Sequence, residues 1–203
     1  MSKKFLKLSR ACLLTFLVFG SLGAFAGTMT PLSIGLAPPV MFPPRNFTIT
    51  GLRMSVLWGS HQYMYGLDLG GIGNITKYDF NGIAVSGIFN RTEGVTNIYG
   101  LQAAGILNSN MQKLKLVGLQ VATVNSNIAA STITGFQLAL LNLGTYTKIY
   151  GIQAGIYNRA DEVYGFQIGL INVVTTLHGM QIGFINFYTT GTFIVCPFLN
   201  FGF

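Results

Sequence analysis

Between Tyr164 and Asn186 the chain says nearly the same thing twice, fourteen residues apart: Gly165-FQIGLI-Asn172, then Gly179-MQIGFI-Asn186. Within the first copy, alternate positions differ in kind. Tyr164, Phe166, Ile168, Leu170 and Asn172 fall on one face, and Val163, Gly165, Gln167, Gly169 and Ile171 on the other. A period of two with frequent β-branched residues predicts strands, and helical spacing does not fit. One face reads as bulky and apolar, the other as small with a central amide.

The same unit recurs upstream. Gly100, Gln102 and Asn108 form one copy; Gly118, Gln120 and Asn125 the next; then come Gly135, Gln137 and Asn142, and Gly151, Gln153 and Asn158. With Gly165, Gln167 and Asn172 and Gly179, Gln181 and Asn186 the series is complete. Two earlier units, Gly66 to Asn74 and Gly82 to Asn90, carry Asp68 and Ala84 in place of Gln. The spacing shortens from 16–18 residues early on to 14 near the end, and three early units hold one extra residue before the Asn, the size of a β-bulge. Turn formers and almost all the charge lie between units, as in Arg91-Thr-Glu-Gly94 and Arg159-Ala-Asp-Glu162.

Repeats of this length build either a barrel or a solenoid. The expected fold is all-β: an antiparallel meander closed into a small barrel of about ten strands, running from Phe47–Gly59 to Thr192–Phe203. Asp161-Glu162 and Thr175-Thr176 then read as hairpin tips, and closure removes the bare edge that an aromatic ending would leave in water. The alternative is a parallel β-solenoid with coils of 14–18 residues. Every unit runs in the same direction, and stacking would set Asn over Asn and Gln over Gln in hydrogen-bonded ladders. Low charge and the terminal Phe favour the barrel.

Composition adds location. Half of the 203 residues are hydrophobic and 8% are charged, against roughly 25% charged in an average soluble domain. Lys3, Lys4, Lys7 and Arg10 precede the apolar run Ala11 to Phe19 and the A-x-A site Ala24-Phe25-Ala26, which predicts a signal peptide over 1–26. A Pro-rich arm follows over 27–46, and the repeat-built β domain spans 47–203. Pro31, Pro38, Pro39, Pro43 and Pro44 argue that the arm stays out of a sheet interior. Cys12 falls in the leader, which leaves Cys196 without an internal partner and reads it as a small apolar filler. Removing the leader leaves little net charge, so nucleic acid is not an expected partner. A lipid bilayer is.

The Gly-h-Gln-h-Gly-h-h-Asn units resemble those of a family of bacterial surface-repeat proteins. So do the lead-in from Gly51 to Gly71 and the ending Pro197-FLNFGF. The resemblance covers roughly 47–203 and implies an exported protein at the outer membrane or cell surface of a Gram-negative-type bacterium, with no activity to carry over. Phe201 and Phe203 resemble the assembly signal of outer-membrane barrels, which implies the outer-membrane assembly machinery as a partner.

Catalysis has little to work with, and no catalytic, metal or cofactor-binding residue is assigned. His178 takes the position held by Tyr99, Tyr150 and Tyr164 in other units and reads as a strand-end side chain. Asp161 and Glu162 are adjacent in a turn, unlike a catalytic carboxylate pair. Gly70-Gly71-Ile72-Gly73 opens no helix and so forms no phosphate cradle. The Gln column is the one ordered polar feature. It reads first as buried, bonded structure and second as the lining of a narrow pore. The function expected from sequence is a non-catalytic structural or surface role, with a surface-attached interaction module as the alternative.

Overall fold

The computed structural model describes residues 29–203; the expected signal peptide and Cys12 lie outside the described residues. The described chain is all-β and forms a β-solenoid of about 8 turns. The first wall of the coil is built from β1 (Met29–Ala37), β3 (Thr48–Ser55), β5 (Tyr63–Gly70), β7 (Phe80–Ser86), β9 (Thr96–Ala104), β11 (Leu114–Val121) and β13 (Ser131–Leu138). The second wall is built from β4 (Trp58–His61), β6 (Gly73–Thr76), β8 (Phe89–Thr92), β10 (Leu107–Asn110), β12 (Val124–Asn127) and β14 (Leu141–Gly144). In the last coils the turns are so short that β15 (Thr147–Tyr188) runs unbroken through both walls. At the ends sit β2 (Val40–Phe42), antiparallel to β1, and β16 (Val195–Gly202), antiparallel to β15.

Register decides between the two expected folds. Neighbouring coils pair in parallel with like on like: Gly118 opposite Gly135, Gln120 opposite Gln137, Asn125 opposite Asn142. The closed ten-stranded barrel is therefore corrected to the parallel solenoid. Asp161-Glu162 and Thr175-Thr176 are not hairpin tips but lie where the continuous β15 passes from one coil to the next. Phe47–Gly59 is not one strand but takes in all of β3 on the first wall and the start of β4 on the second. Phe201 belongs to β16, with Phe203 just past its end; β16 retraces the last coil from Gly179 to Phe187 and covers its edge. The Pro-rich arm supplies β1 and β2, at the N-terminal edge of the stack, with a register shift beside Pro31.

The two-face reading of each unit also changes. The alternation slips at the corner between walls: Leu170 and Ile171 are both exposed, and Asn172 turns inward. Gln and Asn therefore point into one shared interior from opposite walls. The bulky face is the outside. The extra residue of the early units, Gly71, Gly87 and Gly105, sits at this corner.

The interior alternates amides with aliphatics. Ile98, Leu116, Ile133, Ile149, Val163 and Leu177 form the dry column beside the charged turns, all fully buried. The Gly that opens each unit is a steric requirement. Gly135 has φ +122°, which an L side chain rarely adopts, and a Cβ there would strike the carbonyl oxygen of Gly118 in the coil below.

Candidate functional site: amide ladders inside, an apolar wall outside

The Asn column forms an unbroken chain. Nδ2 of each Asn donates to Oδ1 of the next: Asn74 to Asn90 (3.0 Å), Asn90 to Asn108 (3.0 Å), Asn108 to Asn125 (2.9 Å), Asn125 to Asn142 (3.0 Å), Asn142 to Asn158 (2.8 Å), Asn158 to Asn172 (2.8 Å) and Asn172 to Asn186 (2.7 Å). The second proton of each Nδ2 goes to a backbone carbonyl in the first wall of the next coil, as from Asn142 to Ala154 at 2.9 Å. Only an amide nitrogen can serve two acceptors in this way, so the orientation of the ladder is fixed by chemistry.

The Gln column runs the opposite way. Nε2 of each Gln donates to Oε1 of the preceding one: Gln120 to Gln102 (2.8 Å), Gln137 to Gln120 (2.8 Å), Gln153 to Gln137 (2.7 Å), Gln167 to Gln153 (2.7 Å) and Gln181 to Gln167 (2.7 Å). The two rows of amide dipoles therefore oppose each other. Gln102 also crosses the interior to Asn110, with bonds of 3.2 Å in both directions. At the C-terminal end Asn200 of β16 donates to Gln181 at 3.3 Å and finishes the row. Gln102 to Gln181 and Asn108 to Asn186 are fully buried. The repeat residues are thus brought together as scaffold, with their hydrogen bonds spent on each other.

At the N-terminal end the Gln positions hold a charge pair that the sequence reading missed. Arg53 and Asp68 are buried and bonded side by side, with Nε donating to Oδ1 at 2.6 Å and Nη2 to Oδ2. Nη1 donates to the Ile75 carbonyl at 3.1 Å and faces Nδ1 of His61 at 3.4 Å. His61 Nε2 lies 3.4 Å from the Pro43 carbonyl oxygen and donates to it, while Nδ1, facing an Arg53 N–H, can only accept, so the ring is neutral. Burial, helped by the Arg53 charge, pulls the His61 pKa down to about 4. Burial pushes the Asp68 carboxyl upward, against the pull of Arg53. The signal was present in sequence: Arg53 and Asp68 each stand two residues after the unit Gly, one repeat apart. The triad is sealed from solvent, and among the described residues no group of three His, Cys, Asp or Glu could hold a metal ion.

His178 extends a stack with Tyr150 and Tyr164, with ring centroids 4.8 and 4.6 Å apart, as its repeat position implied. Lys148 pairs with Glu162 at 2.7 Å across the adjoining turn; that bond raises the Lys148 pKa. Cys196 is half-buried on β16, opposite Asn186. Phe201 and Phe203 stand exposed on the capping strand. None of these gathers reactive groups into a cleft.

What reaches solvent is the bulky face. On the first wall the positions one and three after the unit Gly are apolar in every coil, from Leu52 and Met54 to Met180 and Ile182. Phe136 is 50% exposed and Phe166 42%. The corner adds Ile88, Ile106, Leu140, Ile156, Leu170 and Phe184, again exposed. The second wall contributes a strip beginning at Trp58 and passing through Leu141 and Ile171. Two shallow apolar depressions, of about 590 and 440 Å³, open on the first wall near Gly70–Gly71 and beside Phe203. Every charged residue from Lys77 onward lies in the opposite turn edge or within two residues of it, among Tyr78, Ile128 and Tyr146.

In comparisons with family models, with curated proteins and with solved structures, nothing matches this chain. What it does must be read from its own geometry.

Proposed function

We propose that this chain is a non-catalytic, exported surface protein whose solenoid acts as an interaction module. One observation carries the reading: an apolar outer wall that runs the length of a stack whose polar groups are consumed internally. Six residues of strand across about eight coils make a patch of about 20 by 40 Å, on the order of 800 Å². The largest apolar patch on an ordinary monomer is about 300–600 Å². The amide ladders supply stiffness and the wall supplies contact.

The resemblance of the repeat units to bacterial surface-repeat proteins, and the leader expected over 1–26, support a place at the outer membrane or cell surface. Barrel-assembly machinery drops out of the proposal, because there is no closed barrel for it to build. So does the narrow pore, because the Gln column is buried and bonded. The test is labelling of intact cells with a membrane-impermeant amine reagent. Lys113 and Lys115, exposed at the turn edge, should react as fully in intact cells as after lysis. Reaction only after lysis would overturn the surface placement.

A further inference from the structure

The shape of the apolar surface narrows its partner. It does not stop at the first wall. It turns the corner through Leu140, Ile156 and Leu170 and continues on the second wall as the strip containing Trp58, Leu141 and Ile171. The apolar region is therefore convex, a wedge with a broad flank and a narrow one. A rigid protein partner or a second copy laid against the broad flank would leave the corner and the narrow flank in water. A fluid apolar phase covers both.

The order of side chains across the broad flank follows the same logic. From the turn edge toward the corner come charge at Lys115 and Lys148, then a column holding Tyr99, Tyr150 and Tyr164 with Val117 and Thr134 between them, then aliphatic and Phe side chains, then the Ile and Leu of the corner, broken once by Thr123. Charge, aromatic and hydrocarbon in that sequence is the profile of a membrane interface. The distance from the Tyr column to the corner is about 20 Å along the strand. Half of a bilayer's hydrocarbon core is about 15 Å. The wedge suits one leaflet and is too short for two. The ends of the stack expose apolar side chains too, among them Val40 and Phe198, but they are poor templates for strand addition: β16 carries Pro197 and, at Phe198, a φ of 67°, and β2 is three residues long. Such features blunt an edge against strand addition.

We infer that the solenoid lies in the plane of a bilayer as a monotopic wedge, its corner column in the acyl region of one leaflet and its charged turns in water. The inference rests on the interaction-module reading and names that module's partner as lipid.

Trp58 is the only Trp in the chain and stands on the narrow flank. The full chain is mixed with phosphatidylcholine vesicles brominated on their acyl chains. Trp58 fluorescence should be quenched. So should that of a Trp58→Phe/Ile168→Trp variant, which reports from the broad flank. Replacing Leu140 and Leu170 by Asp should weaken vesicle partition at least tenfold while leaving the far-UV circular dichroism unchanged, since both side chains already face out. Quenching from one flank alone would overturn the wedge in favour of flat contact. Failure to float with vesicles, whether the protein sediments as a monomer or as a dimer, would overturn lipid as the partner. Cell labelling is independent: a vesicle-binding chain that reacts only after lysis would keep the wedge and lose the surface placement.

Discussion

Replacing Asn142 by Asp changes one nitrogen into oxygen and almost nothing in volume, so it isolates the ladder's hydrogen bonding. Asn142 is fully buried; its Nδ2 serves the Ala154 carbonyl and Asn158 Oδ1, and its own Oδ1 is served by Asn125. The substitution sets an acceptor against two acceptors. The Ala154 carbonyl keeps the Ala139 N–H at 3.1 Å, but Asn158 Oδ1 loses its donor. Two lost bonds cost about 1 kcal/mol each, and the stranded Asn158 oxygen about 1–3 kcal/mol more. A carboxylate out of water adds further cost and is driven to protonate. The sum at neutral pH is about 4–6 kcal/mol, a large share of the roughly 5–15 kcal/mol that holds a domain folded. The sign with pH is distinctive. The introduced carboxyl binds its proton more tightly folded than unfolded, so the variant regains stability relative to wild type as pH falls through the raised pKa. Urea unfolding followed by circular dichroism at pH 7 and pH 5, for both proteins, reads both effects. A loss under about 1 kcal/mol at pH 7, or a difference that ignores pH, would refute the ladder as a structural element.

Three further outcomes follow from the interior. Gly135→Ala should cost about 3 kcal/mol or more, because it combines a disfavoured φ with a clash on the Gly118 carbonyl, and thermal unfolding measures it. Arg53→Met or Asp68→Leu alone should cost about 3–5 kcal/mol by stranding a buried charge, whereas the double variant should recover most of that loss in the same melt. His61 stays neutral in the fold down to about 4, while the unfolded chain protonates below its ordinary value of 6.5. Wild type should therefore lose up to about 3 kcal/mol as pH falls from 6.5 to 4, and His61→Gln, which can still accept from Arg53 and donate to Pro43, should lack that slope in denaturant titrations.

The repeat unit made the β class, the coil length and the like-on-like register of the alternative fold legible in sequence. What misled was the meaning of oily. A strict period of two through Tyr164–Asn172 puts Asn172 with Phe166 and Leu170, and a bulky face of that kind is normally buried. A corner at Leu170-Ile171 shifts the phase by one, and nothing in the residue types announces it, since both are aliphatic. Once Asn joins Gln inside, the bulky positions that follow the unit Gly face outside, and the aliphatic column beside the turns stays within. The low charge that favoured a barrel has the same origin: the outer wall excludes charge without closing on itself. Phe203 misled in a related way, since an exposed aromatic ending serves a capping strand as readily as a barrel's last one. The Arg53–Asp68 pair was hidden because Asp68 was read only as a missing Gln and Arg53 was not set beside it, although their opposite signs at one offset in consecutive units made them partners.

The antiparallel strands at the two ends carry a meaning beyond closure. In-register parallel strands, amides stacked at strand spacing and a dry interior are the ingredients of a cross-β fibril, compressed here into a single chain. Among the described residues, the reversal of direction at β2 and β16, with the kink at Pro197 and Phe198, blunts edges on which one molecule could template the next. The described solenoid is in that sense a short fibril folded within one chain, with an antiparallel strand laid against each end.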